Sequence, residues 1–149
     1  MLNIYIDADA CPVRNETIKV AERHDIDVYI VSNSWLQPIN NRKIHMIKVE
    51  SGADVADDWI AERISEGDIA ITSDILLADR CLKNKANVVN PTGKPFTENN
   101  IGSAIAGRSV SAHLREIGET SSNNPSFTKQ DRSRFLQSLE EIIQKVKRK

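Results

Sequence analysis

The first two thirds of the chain alternate short apolar runs with longer amphipathic segments, and this pattern constrains the fold more than any other feature. Short runs rich in β-branched residues predict strands, whereas apolar residues that recur at helical spacing predict helices. Strands that alternate with helices predict an α/β fold with a mainly parallel sheet covered on both faces. The predicted strands span 2–6, 27–31, 44–49, 68–72 and 86–89, and the predicted helices span 12–24, 54–64 and 75–82.

The pattern changes after a cluster of turn residues at 90–95. Thr97 can cap a further helix, and a polar stretch rich in Ser and Asn follows that helix. Thr128 and Asp131 then resemble a capping box at the start of a terminal helix. We therefore divide the chain into an α/β domain (1–117), a linker (118–127) and a C-terminal helix (128–149).

The terminal helix is amphipathic. Its apolar stripe is formed by Phe135, Leu139, Ile142 and Val146, joined by Leu136 and Ile143. Such a stripe predicts that the helix packs on its own domain. A seam in a homodimer, or a surface for another partner, is the alternative interpretation.

Length and composition are those of one globular domain. The chain has 149 residues, of which 40% are hydrophobic and 28% are charged. No apolar run approaches the ~20 residues that a membrane span needs. The N-terminal residues lack the basic segment of a signal peptide. We therefore expect a cytoplasmic protein that does not contact a membrane.

The formal net charge of −1 argues against a protein that binds nucleic acid through bulk charge alone. It still permits an enzyme with a local basic rim and an acidic metal pocket. Cys11 and Cys81 lie far apart and outside any metal-ligand pattern, so we expect reduced thiols with structural roles.

Aspartates follow two of the predicted strands and begin one of the predicted helices. Asp7 and Asp9 come directly after the first strand, and Asp74 comes directly after the fourth. In open α/β sheets, sites form at the carboxyl ends of the strands, at the point where the strand order reverses. A sheet order of 3-2-1-4-5 would make the first and fourth strands neighbours at that point. The helix contributes Asp54, Asp57 and Asp58 from its first turns.

These carboxylates predict a site for a hard divalent cation. Two carboxylates about 4 Å apart repel each other by ~4 kcal/mol at an effective dielectric near 20, so several can share a pocket when a cation neutralises them. Oxygen ligands of this kind suit Mg²⁺ or Mn²⁺, which are the usual metals of phosphoryl chemistry. The candidate metal ligands are Asp7, Asp54, Asp57, Asp58 and Asp74, and Asp9 is a further candidate catalytic residue.

Other roles are open to several of these acids. Asp9 and Asp54 could each cap a helix, and Asp57 could lie on the surface. Asp7 and Asp74 are the strongest candidates, because an aspartate that ends an apolar strand is costly to bury without a partner. Asp68 and Asp79 are expected to be surface charges, outside the site.

Residues that could bind phosphate lie further along the chain. Arg108 and Arg115 are seven residues apart and share one face if that stretch is helical. Basic side chains and hydroxyl groups are the usual ligands of backbone phosphates. The candidate substrate-binding residues are Thr72, Ser73, Lys94, Arg108 and Arg115.

Four motifs together resemble one family of bacterial proteins. They are DADACPV at 7–13, GADVADDWI at 52–60, ITSD at 71–74 and NNIG at 99–102. This set resembles the YaiI/YqxD family, whose members are uncharacterised. That family is similar in turn to PIN and NYN nuclease domains, which place an acid after strand one, at the start of a central helix and in a T/S-x-D motif after strand four.

Asp7, Asp54 and Asp74 occupy those three positions, and the pair Asp57 and Asp58 resembles the acidic helix of flap-type 5′ nucleases. The resemblance implies a three-layer PIN-like domain with an appended C-terminal helix. It also implies hydrolysis of RNA or DNA with Mg²⁺ or Mn²⁺, and RNA is the favoured substrate. The final acid that many PIN domains carry has no clear counterpart here.

Two other functions fit parts of the pattern. In a haloacid-dehalogenase-like phosphatase, Asp7 would be the covalent nucleophile, Asp9 the general acid and Ser32 a phosphate ligand. The early helix at Pro12 leaves no room for the flap of that family, and the acids near Asp54 stand where it needs a lysine. A non-catalytic RNA-binding module with a structural metal site is the third alternative.

Overall fold

A computed structural model describes residues 2–8, 11–33, 39, 41–50, 55–98, 100–102 and 128–148. The strands are β1 (Asn3–Asp7), β2 (Asp27–Ser32), β3 (Ile44–Lys48), β4 (Ile69–Ile71), β5 (Asn87–Val89) and β6 (Pro95–Phe96). The helices are α1 (Arg14–His24), α2 (Val55–Arg63), α3 (Ile75–Lys83) and α4 (Lys129–Lys147). The predicted elements up to β5 are confirmed, with ends that differ by at most two residues.

The strands form one six-stranded sheet in the order β3-β2-β1-β4-β5-β6. The first five strands are parallel, and β6 pairs antiparallel with β5. The predicted order of the five parallel strands is therefore confirmed. Strand β6 was not predicted, because two residues directly after a turn cluster are too few to show a periodic pattern.

The sheet separates two apolar cores. Because side chains alternate along a strand, Ile4 and Ile6 of β1 face one side of the sheet and Tyr5 faces the other. Helices α1 and α4 cover the first side, whereas α2 and α3 cover the second. The crossover through α1 and the crossover through α3 thus lie on opposite sides of the sheet, which makes the boundary between β1 and β4 the switch point.

Helix α4 is part of the core rather than an appendage. Its Phe135, Leu139 and Ile143 side chains are fully buried against α1 and the sheet. The predicted capping box is confirmed, since Thr128 Oγ1 accepts from the Asp131 N–H and the Asp131 carboxylate accepts from the Thr128 N–H. The predicted apolar stripe is partly wrong. Phe135, Leu139 and Ile143, which are four residues apart, face the sheet, whereas Ile142 is only partly buried.

Helix α4 spans the sheet from one edge to the other. We call the side of the sheet at the carboxyl ends of the parallel strands the carboxyl edge. The side at their amino ends is the amino edge. Near its start, α4 contacts the turn after β5, where a Cβ on Gly93 would lie 2.5 Å from the Arg134 carbonyl carbon. Near its end, Lys147 Nζ donates to the His24 carbonyl oxygen (3.1 Å), just before β2 begins.

Several predictions fall outside the described residues. The predicted linker at 118–127, the domain limit at 117, Arg108 and Arg115 are among them. Within the described part of the chain, no helix has both the length and the apolar character that crossing a bilayer requires.

Candidate functional site

The carboxyl ends of β1 and β4 hold a short chain of hydrogen bonds. Ile6 pairs with Ile71 across the two strands, so the residues that follow them, Asp7 and Thr72, come side by side. The Thr72 hydroxyl donates to Asp7 Oδ2 (2.9 Å) and accepts from the Asp74 backbone N–H (3.0 Å). Thr72 is 1% exposed, whereas Asp7 is half-buried. These contacts lie at the switch point of the sheet.

The Thr72 hydroxyl has one proton, and its direction is fixed. Because the Asp7 carboxylate can only accept, the hydroxyl proton points to Asp7, while the hydroxyl oxygen accepts from the Asp74 N–H. Thr72 was predicted to bind substrate; its side chain is buried, and its hydroxyl contacts the Asp7 carboxylate. Ser73, its neighbour, is exposed.

The Asp74 side chain caps α3. Its Oδ1 accepts from the backbone N–H groups of Leu76 (2.9 Å) and Leu77 (3.2 Å). A capping aspartate satisfies N–H groups that would otherwise lack a partner at the start of a helix. Asp74 therefore has a local structural role, in addition to its place beside Thr72.

The two acids in the first turn of α2 face an arginine of α3. Asp58 Oδ1 lies 2.8 Å from Arg80 Nη1, and both side chains are about half exposed. The hydrogen bond with Asp58, together with the nearby charges of Asp58 and Asp57, raises the pKa of the Arg80 guanidinium. Arg80 was missed in the sequence analysis, because nothing in the spacing of α3 indicates which helix it contacts.

The described residues do not by themselves complete a metal site. Among them, no three His, Cys, Asp or Glu side chains come together as ligands. Asp9 and Asp54, two of the predicted catalytic acids, lie outside the described residues. The predicted convergence of Asp7, Asp54 and Asp74 on one cation therefore stays a prediction.

Lys94 lies in the turn that follows β5 at the carboxyl edge. The Asn90 side-chain oxygen organises this turn, because it accepts from the backbone N–H groups of Thr92 (3.0 Å) and Lys94 (2.9 Å). The Lys94 side chain is exposed. Its position leaves the ammonium group accessible to an anion at this edge of the sheet.

The two cysteines are free thiols, as predicted. Burial, with a smaller contribution from the nearby Asp7 charge, raises the pKa of Cys11 to about 11. Burial likewise raises the pKa of Cys81 to about 12. Neither thiol is therefore a thiolate nucleophile near neutral pH.

A further aspartate, at the opposite edge, corrects a prediction. Asp68 was expected on the surface but is 1% exposed, directly before β4. Its oxygens accept from the Asn3 N–H (3.1 Å), the Ser65 N–H (3.0 Å) and the Ser65 hydroxyl (3.1 Å). The sequence pattern of Asp68 gave no signal for these partners, one of which is 65 residues away.

The fold and the carboxyl edge define an α/β protein with a mostly parallel sheet and an acidic site at its switch point. The family model described as "Uncharacterized BCR, YaiI/YqxD family" matches residues 5–145. The chain therefore belongs to the YaiI/YqxD family, and the resemblance of its four motifs is confirmed.

Relatives match the chain over nearly its full length. It is 50% identical to a UPF0178 protein of Parvibaculum lavamentivorans over 149 residues, which cover 100% of this chain and 98% of the relative. It is 53% identical to a UPF0178 protein of Rhodospirillum rubrum over 148 residues, 99% of each chain. A UPF0178 protein of Rhizobium meliloti is 51% identical over 97% of this chain and 99% of its own length. No solved structure matches at a significant level.

Proposed function

We propose that the protein is a nuclease that hydrolyses phosphodiester bonds of RNA with Mg²⁺ or Mn²⁺. One observation carries the proposal: the half-buried Asp7 carboxylate is held by the buried Thr72 hydroxyl at the switch point of the sheet. Open α/β sheets bind their ligands at this place. A carboxylate that a neighbouring group orients there is suited to catalysis rather than to stability.

The donor set fits a hard cation. Asp7 supplies carboxylate oxygens at the carboxyl edge, and in the proposal Asp54 and Asp74 complete the ligand set, with Asp58 as a further candidate. Such a metal, when bound, polarises the scissile phosphate and lowers the pKa of an attacking water.

The protein's own groups perform the remaining tasks. Thr72 holds Asp7 in one orientation, because its hydroxyl donates to Asp7 Oδ2 while the hydroxyl oxygen accepts from the Asp74 N–H. Arg80 offsets part of the negative charge of Asp57 and Asp58, which reduces repulsion of an approaching phosphate.

The finer fold assignment, a PIN-like domain, belongs to the same proposal. The order of the five parallel strands and the places of Asp7 and Asp74 after β1 and β4 support it. DNA is the second choice of substrate.

Cleavage assays with matched variants test the proposal. Labelled single-stranded RNA, structured RNA and single-stranded DNA are incubated with the protein in Mn²⁺, Mg²⁺ or EDTA. We expect metal-dependent cleavage of RNA that falls by more than about 100-fold in Asp7→Asn, since even loss of an outer-shell partner costs 10–100-fold. Asp79→Asn is the matched control, because Asp79 is an ion-paired acid of α3 (3.1 Å from Lys83) and has no proposed role in the site.

The same assays distinguish the alternatives. RNA that stays intact with every metal, or cleavage by Asp7→Asn at the wild-type rate, would contradict the proposal. Turnover of an aryl phosphate with a trapped acyl-phosphate on Asp7 would instead support the phosphatase. Binding of RNA without cleavage would support the non-catalytic module.

A further inference from the structure

We propose that the first turns of α4, together with Lys94 and Arg14, form a surface that binds the sugar–phosphate backbone of a nucleic acid. We call these residues, Arg14, Lys94, Lys129, Arg132 and Arg134, the basic rim. The inference rests on the proposed function, since it names the surface along which a substrate strand would reach the acidic site.

The position of α4 brings its first basic residues to the carboxyl edge. The contact of Gly93 with the Arg134 backbone fixes this end of the helix beside the turn that carries Lys94. A second contact, from the Ser138 hydroxyl to the Gly93 carbonyl oxygen (2.6 Å), holds the turn and the helix together. Lys129 lies five residues before Arg134, so it is further toward this edge by about 7.5 Å along the helix.

The rim continues toward Asp7 through the start of α1. Arg132 Nε lies 3.5 Å from Glu16 Oε1, which joins the two helices at the carboxyl edge. Arg14 is in the same first turn of α1 as Glu16. Helix α1 follows the carboxyl end of β1, where Asp7 lies, so the first turn of α1 is at the same edge of the sheet as Asp7. The charges of both Asp7 and Arg14 act on the Cys11 thiol between the two elements.

Among the described residues, two acids lie within the rim of five cations, and each is ion-paired with one of its arginines. Arg134 Nη2 lies 3.4 Å from Asp131 Oδ1, and Arg132 Nε lies 3.5 Å from Glu16 Oε1. The side chains of Arg132 and Arg134 are 49% and 64% exposed, and Lys94 and Lys129 are exposed as well. The surface thus presents positive charge, although the whole chain has a net charge of −1.

The composition of the rim favours nucleic acid over a membrane. A membrane surface binds helices that also insert apolar side chains. Among the described residues, the exposed large apolar side chain is Leu76, which lies at the start of α3 rather than in the rim. Exposed Lys and Arg side chains without apolar neighbours are the usual ligands of backbone phosphates.

A binding experiment with two matched double variants tests the rim. The affinity for a fluorescein-labelled single-stranded RNA of mixed sequence is measured in EDTA, so that cleavage plays no part, over a series of KCl concentrations. Lys129→Gln/Arg134→Gln removes one Lys and one Arg from the rim. Lys145→Gln/Arg148→Gln removes the same pair of charges from the far end of α4, at the amino edge.

We expect the rim variant to bind roughly 10- to 30-fold more weakly at about 0.1 M salt, with a salt slope smaller by about 1.4, because each lost phosphate contact removes about 0.7 from the slope. The amino-edge variant should bind within about twofold of the wild type, because its charges lie outside the rim. Equal weakening in both variants, tight binding of the wild type to anionic vesicles but not to RNA, or no RNA binding in EDTA would overturn the inference.

A second measurement uses the wild-type protein and so does not depend on how a variant folds. Acetylation of lysines is followed by mass spectrometry with and without the RNA. Lys94 and Lys129 should be protected, whereas Lys83 and Lys145 should not, and the reverse pattern would contradict the rim.

The failures of the two proposals are distinguishable. Asp7→Asn should keep its RNA affinity in EDTA, because it leaves the rim intact. If the rim binds RNA but no metal supports cleavage, the nuclease proposal fails and the rim stands. If the rim variant binds and cleaves RNA as the wild type does, the rim fails and the nuclease proposal stands.

Discussion

The two edges of the sheet use aspartate in opposite ways. Both Asp7 and Asp68 lie on the boundary between β1 and β4, one at the carboxyl edge and one at the amino edge. Asp68 is almost fully buried, and three donors surround its carboxylate. Asp7 is half-buried and is oriented by Thr72.

The difference in burial distinguishes Asp68, whose carboxylate stabilises the fold, from Asp7, whose carboxylate is the candidate for chemistry. Burying a charge is tolerated when hydrogen bonds replace its hydration, and the donors around Asp68 do so while they join β1 to the loop before β4. Asp7 stays in contact with solvent, so its carboxylate is accessible to a cation or a substrate. The amino edge therefore stabilises the fold, and the carboxyl edge carries the candidate chemistry.

The largest expected effect on stability comes from substitution of Gly93, with Gly67 as the comparison. The two glycines contact α4 at opposite edges. Gly93 and Gly67 both have φ near +90°. A Cβ on Gly93 would overlap the α4 backbone at 2.5 Å, whereas one on Gly67 would lie 3.8 Å from Val146 Cγ1, an ordinary contact. We expect Gly93→Ala to lower the free energy of unfolding by about 3 kcal/mol or more, and Gly67→Ala by about 1 kcal/mol.

Urea denaturation of the two glycine variants measures this difference. Equal losses of stability would show that α4 does not contact the turn at the carboxyl edge as closely as the structure has it.

The second prediction compares the loss of stability on substitution of Asp68 and of Asp7. Asp68→Asn places an NH₂ group against backbone or hydroxyl donors, and we expect it to cost about 2–3 kcal/mol of stability. Asp7→Asn should cost less than about 1 kcal/mol, because the amide oxygen can still accept from Thr72. Urea denaturation of both variants is the measurement. A larger loss for Asp7→Asn than for Asp68→Asn would reverse the roles assigned to the two edges.

A third prediction concerns Thr72 as a positioning residue. Thr72→Val removes the acceptor of the Asp74 N–H and the donor to Asp7, and we expect it to lower stability by about 1–3 kcal/mol. It should also lower metal-dependent cleavage 10- to 100-fold, whereas Thr72→Ser should restore it. Thr17→Val is the matched control, because the buried Thr17 hydroxyl donates to the Val13 carbonyl oxygen (2.8 Å) in α1.

For these threonine variants, cleavage rates at temperatures well below unfolding separate positioning from stability. Similar losses of activity in Thr72→Val and Thr17→Val would mean that Thr72 acts through stability alone.

The smallest expected effect on stability comes from Glu140, which joins α4 to α1 near the amino edge. Its carboxylate oxygens lie 2.7 Å from His24 Nε2 and 2.8 Å from Arg23 Nη2. The hydrogen bond with His24, and then that with Gln144, lowers the pKa of Glu140 below its ordinary value of 4.5. Because the folded-state pKa is lowered, this contribution to stability is complete above the ordinary pKa and is lost as the pH falls through the folded-state pKa.

Glu140→Gln should therefore be less stable than the wild type near neutral pH, and the difference should vanish in acid. We expect a difference below about 1 kcal/mol, since the carboxylate is one-third exposed and solvent screens the pair. Urea denaturation over a pH series measures it. A difference that grows as the pH falls would contradict the assignment.

The sequence predicted the parts of the fold that depend on local periodicity. Strand and helix positions follow from the spacing of apolar residues, and the Thr128 capping box follows from two residues three apart. The order of the five parallel strands was also predicted correctly. The register of β1 on β4, which brings Thr72 to Asp7, depends on contacts 65 residues apart and has no local signal.

The contacts at the site that were not predicted also join residues that are distant in the sequence. Asp68 and Asp79 look alike as isolated acids, yet one is buried among donors and the other pairs with Lys83 on the same helix. The basic rim depends on where α4 lies relative to the turn after β5, a contact between distant segments. Sequence spacing could not bring the backbone of Arg134 to the turn that carries Lys94.

The place of α4 in the core has a consequence for synthesis. The side of the sheet that α1 covers is completed by Phe135, Leu139 and Ile143, which the ribosome adds after all six strands of the sheet. Until the segment 128–148 has emerged, the apolar surface that these side chains bury stays exposed to other chains and to chaperones. A chain truncated before Thr128 should therefore aggregate, because it lacks the side chains that cover this side of the sheet.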